Sequence, residues 1–175
     1  MFEIRNIKVS LTIKNISLNS VLKQINKQPI SYEIKNNYII IRDKFIYIFF
    51  KSKNNLISHI NVTKIPNLMN IQLSVKILKE FIFKDLNLTI LNTKIDNITA
   101  TCDKRREINQ IKLLEKIKHY YSVKFNKEKF PGLFIKVPFG TFIIFHTGKI
   151  NLVGCQNPFH LQFLYELLDA ILIKS

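Results

Sequence analysis

His59, His119, His146 and His160 are scattered along the chain, and none stands at a metal-ligand spacing from Cys102 or Cys155. No Walker-type loop, nucleophile elbow or paired-carboxylate site is present. An enzyme is therefore not expected, and neither a cofactor nor a metal is called for. His146, directly after Phe145, is placed better near a phosphate than in catalysis. The conspicuous chemistry is charge and side-chain amides. Lys and Arg number 27 against 12 Asp and Glu, a formal net charge of +15. Such an excess favours a polyanionic partner, nucleic acid before an anionic membrane surface. Asn6 and Asn97 recur in matching phrases, "IRNIKVSLTI" and "IDNITATCDK", about ninety residues apart. A lone Asn near a chain end usually faces water; a repeated one points to a shared job.

The elements that position these residues also come twice. The 175 residues fit one domain or two halves sharing a core, and 47% hydrophobic residues can fill it. "IFFKSKNNLIS" (48–58) resembles "IIFHTGKINLV" (143–153), and each half reads as strand, helix, hairpin strands, helix. Ile7, Val9 and Leu11 alternate with Asn6, Lys8 and Ser10. Ser17 caps a helix over 17–27, with Leu18, Val21, Leu22 and Ile25 inward. A meander follows, turning near Asp43-Lys44 and Lys53-Asn54. A helix over 67–83 closes the half on Leu68, Ile71, Val75, Leu78 and Ile82. The second half repeats the plan. It has a strand over 95–103, a helix over 107–121 with Ile108, Ile111, Leu114 and Ile117 inward, and turns near Pro138-Phe139-Gly140 and Thr147-Gly148. Pro158 starts a final helix with Phe163, Leu164, Leu167 and Ile171 inward. The halves divide at 86/87. Two unpaired-looking cysteines, no signal peptide and no membrane-length apolar run predict a soluble intracellular protein.

An antiparallel sheet covered on one side should show water a polar second face. Here Ile143 and Phe145 oppose Phe142 and Ile144, and Ile48 and Phe50 oppose Tyr47 and Phe49. All are apolar. One set has no helix to cover it, and a large exposed apolar face implies a partner or a dimer.

"FPGLFIK" (130–136) followed by "IIFHTGKINLVGC" (143–155) resembles the C-terminal repeat of the TATA-binding protein family. "IDNITATCD" is similar to that repeat's opening strand, and the first half matches more weakly through "IRNIKVSLT" and "IFFKSKNNLIS". The resemblance implies an α+β fold of two pseudo-symmetric repeats forming a saddle, with one curved antiparallel sheet and helices on its convex face. The concave side would sit on the DNA minor groove. This family is itself the standard case of wedge insertion there, so the mechanism is inherited from the resemblance. It answers the question of the greasy second face, which would suit a widened, partly unstacked groove.

Position by position, the resemblance makes Phe130 and Phe145 the wedge aromatics of the second half. Thr99, Ile143, Asn151 and Val153 line the groove, Asn97 is the central Asn, and Lys136 and Lys149 meet phosphate. In the first half it makes Asn6 the second central Asn, Phe50 one wedge, and Ile48, Leu56 and Ser58 the lining. Amides suit the groove because A·T pairs show only acceptors there. Departures are Lys8 at a position apolar in the family, Lys53-Asn54 for the Gly-Lys turn, and His59 for the Gly after the fourth strand. The first half also lacks an FPGL phrase, and Tyr38, Ile34 or Tyr32 stands near the missing wedge. The implied role is a general transcription initiation factor. It would bind and bend A·T-rich promoter DNA and recruit a B-type factor and RNA polymerase, as a monomer on DNA, with a homodimer open to the free protein through the same apolar face. The alternative is a module of the same fold for other nucleic-acid or protein binding. The implied location is the nucleus, or the cytoplasm if a cytoplasmic virus encodes the chain, and the divergent, AT-rich sequence fits a fast-evolving source.

Overall fold

The structure is a computed structural model that describes residues 1–173. The chain packs as two compact units, residues 6–96 and residues 1–5 with 97–175. The boundary falls inside a strand rather than in a linker, because β1 (Glu3–Ser17) and β6 (Ile90–Asp103) each give residues to both units.

In the unit of residues 6–96 the strand order is β2 (Tyr32–Lys35), β3 (Tyr38–Arg42), β4 (Ile46–Lys51), β5 (Leu56–Ile65), β1. In the other unit it is β6, β10 (Lys149–Cys155), β9 (Gly140–Ile144), β8 (Phe130–Val137), β7 (Ser122–Asn126). Within each unit the pairings just named are antiparallel. Each unit is therefore a meander whose last strand returns to pair with its first. Alternation sorts the side chains into two faces. Ile7, Val9 and Leu11, with Tyr47, Phe49, Ile60 and Val62, are buried in one unit. Ile98, Ala100, Leu133, Ile135, Phe142, Ile144 and Leu152 are buried in the other.

Two helices per unit contribute to these cores. α1 (Leu18–Ile25) starts at Ser17, whose hydroxyl accepts from the Ser20 N–H, and buries Val21 and Ile25. α2 (Met69–Ile77) runs into a π-helical turn, Leu78–Ile82, which buries Leu78 and Ile82. Tyr47 Oη donates to the Ser74 carbonyl at 2.9 Å and ties α2 to the sheet. Burial raises the Tyr47 pKa well above the ordinary phenol range, with the Asp43 charge adding to it. α3 (Gln110–Ile117) is capped by Asn109 and buries Leu113 and Ile117. Its buried Gln110 donates from Nε2 to the carbonyls of Pro131 and Ile144, at 2.8 and 2.7 Å. α4 (His160–Ile173) buries Leu164, Leu168, Ile171 and Leu172.

Several inward positions read from the sequence lie elsewhere. Ile111, Leu68 and Phe163 are exposed, and Leu113 and Leu168 take the core places. Ile111 and Phe163 lie inside α3 and α4 but off their buried stripes, which run through Gln110, Leu113 and Ile117 and through Leu164, Leu168 and Ile171, and Leu68 stands at the N-cap of α2. Phe163 instead packs edge-on to Phe139, whose ring stacks on His160.

Candidate nucleic-acid interface

The second face of each sheet is the one that no helical core covers. In the unit holding residues 97–175, Phe130 is 41% exposed and packs on Phe145 with ring centroids 5.8 Å apart. Gly132 makes this possible. A Cβ there would fall 2.5 Å from Phe130 Cε1 and 2.7 Å from Ile143 Cγ2, so the Phe130 ring lies over the glycine. Ile143 pairs across to Asn151, and Thr141 to Val153, all half-buried on the same face. Lys136, opposite Thr141, and Lys149, opposite Asp103, are exposed at its margins.

In the unit of residues 6–96, Phe50 is 38% exposed. It stands directly opposite Tyr38, with ring centroids 6.3 Å apart. Strand register sorts the three first-half candidates, Tyr38, Ile34 and Tyr32, by face. Tyr32 pairs with Ile41 and Ile34 with Ile39, so both share the face of those buried residues. Tyr38 pairs with Phe50 on the open face. Counting from the pairs Ile40↔Ile48 and Phe134↔Ile143, Tyr38 is the counterpart of Gly132. Its own ring supplies what Phe130 supplies by reaching back over the glycine.

The two central asparagines are held alike. Asn97 Oδ1 accepts the Gly154 N–H at 2.8 Å, and Asn6 Oδ1 accepts the Lys64 N–H at 2.9 Å. A backbone N–H can only donate, so these bonds fix which end of each amide is oxygen. Nδ2 is left as the donor, 3.3 Å from the Thr99 hydroxyl for Asn97 and 3.3 Å from the Thr63 hydroxyl for Asn6. Both N–H donors sit in bulges of left-handed backbone, φ +82° at Gly154 and +64° at Lys64.

That equivalence corrects the first-half register. The residue matching Gly154 is Lys64, not His59, and those matching Asn151 and Val153 are Asn61 and Thr63, not Leu56 and Ser58. The pairs Ile48↔Asn61 and Ile143↔Asn151 establish it. The first-half hairpin between them is five residues longer, and Leu56 and Ser58 belong to that extension. His59 stands on the open face opposite Phe50 and Thr12. The signal was present in the sequence: "INVTKIPN" (60–67) matches "INLVGCQN" (150–157) better than the turn phrases match each other.

Lys8 is on this face too, with its Nζ 3.5 Å from Asp96 Oδ2. The thiols lie apart from any such chemistry. Burial pushes both Cys102 and Cys155 up from the ordinary thiol range, which disfavours thiolate formation. Cys155 is fully buried and its Sγ donates to the Asn157 carbonyl.

Two duplicated α+β units, each presenting an oriented amide, an aromatic pair and a half-apolar strand face beyond its core, define a repeat protein with a candidate binding face on its strands. Comparison with known proteins is specific. Residues 92–174 match the family model described as transcription factor TFIID, or TATA-binding protein. The solved structure of Methanococcus jannaschii TBP matches with a TM-score of 0.73 at 25% identity, covering 97% of each chain. A complex of Aquifex aeolicus tRNASec with Methanopyrus kandleri SerRS gives a TM-score of only 0.39 at 10% identity, covering 99% of this chain and 30% of that one, and carries no argument. No curated protein sequence matches. The C-terminal half thus matches the TATA-binding protein family model, and the whole chain shares the fold of a solved TBP.

Proposed function

We propose that this protein binds A·T-rich duplex DNA in the minor groove and bends it, acting in transcription initiation. The observation that carries the reading is the pair of locked amides. A minor groove of A·T pairs offers acceptors only, and Asn6 and Asn97 each turn Nδ2 toward the open face because a backbone N–H holds Oδ1. The aromatic pairs Phe130/Phe145 and Tyr38/Phe50 supply wedges for partly unstacked base steps. Ile48, Ile143, Thr99, Asn151 and Val153, with Asn61 and Thr63 by the corrected register, line the groove. Lys136 and Lys149 neutralise phosphates at the margin. Recruitment of a B-type factor and RNA polymerase through the helices rests on the similarity to that family alone.

The test is a titration of end-labelled duplexes, one with a TATA-like centre and one G·C-rich, at two salt concentrations. Salt-sensitive binding with a large end-to-end change on the A·T duplex alone supports the proposal. Equal, weak binding to both without bending would replace it with a general interaction module.

A further inference from the structure

The residue just before each central asparagine differs in charge between the repeats: Arg5 precedes Asn6, and Asp96 precedes Asn97. Each makes the matching contact. Arg5 Nε donates to the Thr101 hydroxyl at 2.8 Å, four residues beyond Asn97. The Ser10 hydroxyl, four residues beyond Asn6, donates to Asp96 Oδ2. One repeat thus presents a guanidinium beside its hydroxyl, and the other a carboxylate.

Asp96 belongs to the compact unit that holds Asn6, and its contacts place it beside Ser10 and Lys8, which line that unit's open face. Its side chain is 24% exposed, and both contacts use Oδ2, leaving Oδ1 in neither. Lys8 offsets the negative charge that would otherwise face the phosphates. The other acidic groups lie at strand ends or edges: Glu3, at the start of β1, pairs with Arg5 Nη2 at 2.9 Å while Arg5 Nε holds Thr101, Asp103 accepts from the Arg105 N–H, and Glu33 pairs with Lys35 and Arg42.

A carboxylate accepts hydrogen bonds and cannot donate them, so it mismatches the acceptor-only floor of an A·T groove. The one donor a minor groove carries is the 2-amino group of guanine. We infer that Asp96 is a specificity-determining residue that accepts a purine 2-amino group in the half of the site facing residues 6–96, while Arg5 keeps the other half to acceptors. The protein's preferred site is then asymmetric, and its orientation on DNA is set by where that amino group lies.

This inference rests on the minor-groove reading, and the experiment separates the two. A palindromic A·T duplex is made with 2,6-diaminopurine replacing one adenine, or that adenine and its symmetry mate, at each position in turn. Diaminopurine adds only the minor-groove amino group. At one position the single substitution should cost less than about 2-fold in affinity, because the protein turns to bring Asp96 to the amino group. The double substitution there should cost about 5-fold or more, since the second amino group meets the Arg5 half. Asp96→Asn should make the two penalties additive, and Arg5→Gln should leave the single substitution tolerated. Additive penalties at every position in the wild type overturn the inference without needing any variant, as does non-additivity that survives Asp96→Asn. Failure to bind the parent A·T duplex would sink the minor-groove reading itself.

Discussion

Asn97→Asp separates the structural work of this residue from its proposed work on DNA. The carboxylate keeps an oxygen where Oδ1 now accepts the Gly154 N–H at 2.8 Å, so the bulge remains tied. Gly154 is exposed, and a charge-assisted bond at this site is at least as strong as the amide's. Stability should therefore change by less than about 1 kcal/mol. What is lost is Nδ2, the donor, and a negative charge now faces acceptors. A direct minor-groove contact is worth about 1–3 kcal/mol, so affinity for an A·T duplex should fall roughly 5- to 150-fold. Asn97→Ala removes both functions and should add a stability cost of about 0.5–1.5 kcal/mol for the freed N–H. Urea unfolding paired with fluorescence titration of the duplex reads the two quantities on the same samples. If Asn97→Asp bound the A·T duplex as tightly as wild type, Nδ2 would not touch the groove and the amide would be a bulge clamp only.

Gly132→Ala should displace the Phe130 ring, because the added Cβ meets it at 2.5 Å. The clashes are with the exposed Phe130 ring and with the Ile143 methyl at 2.7 Å, both side-chain ends on the open face, so bending measured by end-to-end energy transfer should drop more than the urea midpoint does. Gly148→Ala should behave oppositely. Its φ is +86° and an added Cβ lies 2.2 Å from the Arg106 carbonyl, so a stability loss of at least ~2 kcal/mol is expected in the same unfolding assay. Asp169→Asn removes the anion bound to Lys104 on α4. Burial works against the Lys104 charge, but hydrogen bonds to Asp169 and Tyr165 hold its pKa above the ordinary lysine value. A raised folded pKa gives stability that is complete below the unfolded value and lost as pH climbs through the folded one. The wild-type advantage, about 1 kcal/mol for a half-exposed partner, should persist at neutral pH and fade only above about pH 10.5 in pH-dependent unfolding.

The duplication, the order of elements and the shared strand face of the second-half candidates were legible in the sequence, because alternation and the FPGL phrase survive there. Asn6 and Asn97 were picked out by the family resemblance together with their repetition. Their orientation was not, since it depends on N–H groups 57 and 58 residues away that only strand register brings near. The first-half counterparts of Asn151 and Val153 fall elsewhere than the sequence suggests, for a physical reason. The longer hairpin between Ile48 and Asn61 displaces the turn, so aligning turn with turn slid the lining assignments onto the hairpin extension. Tyr38 stands out from Ile34 and Tyr32 only once pairing partners are known, because which face a short apolar strand residue takes is set by register.

The most direct test of minor-groove recognition replaces every A·T pair of the bound site with inosine·cytosine. Inosine lacks the 2-amino group, so the minor groove keeps the donor and acceptor pattern of A·T while the major groove takes that of G·C. Equal affinity and equal bending on the A·T and I·C duplexes, both lost on the G·C duplex, is the predicted result. An I·C duplex that behaves like G·C would contradict it and move recognition to the major groove.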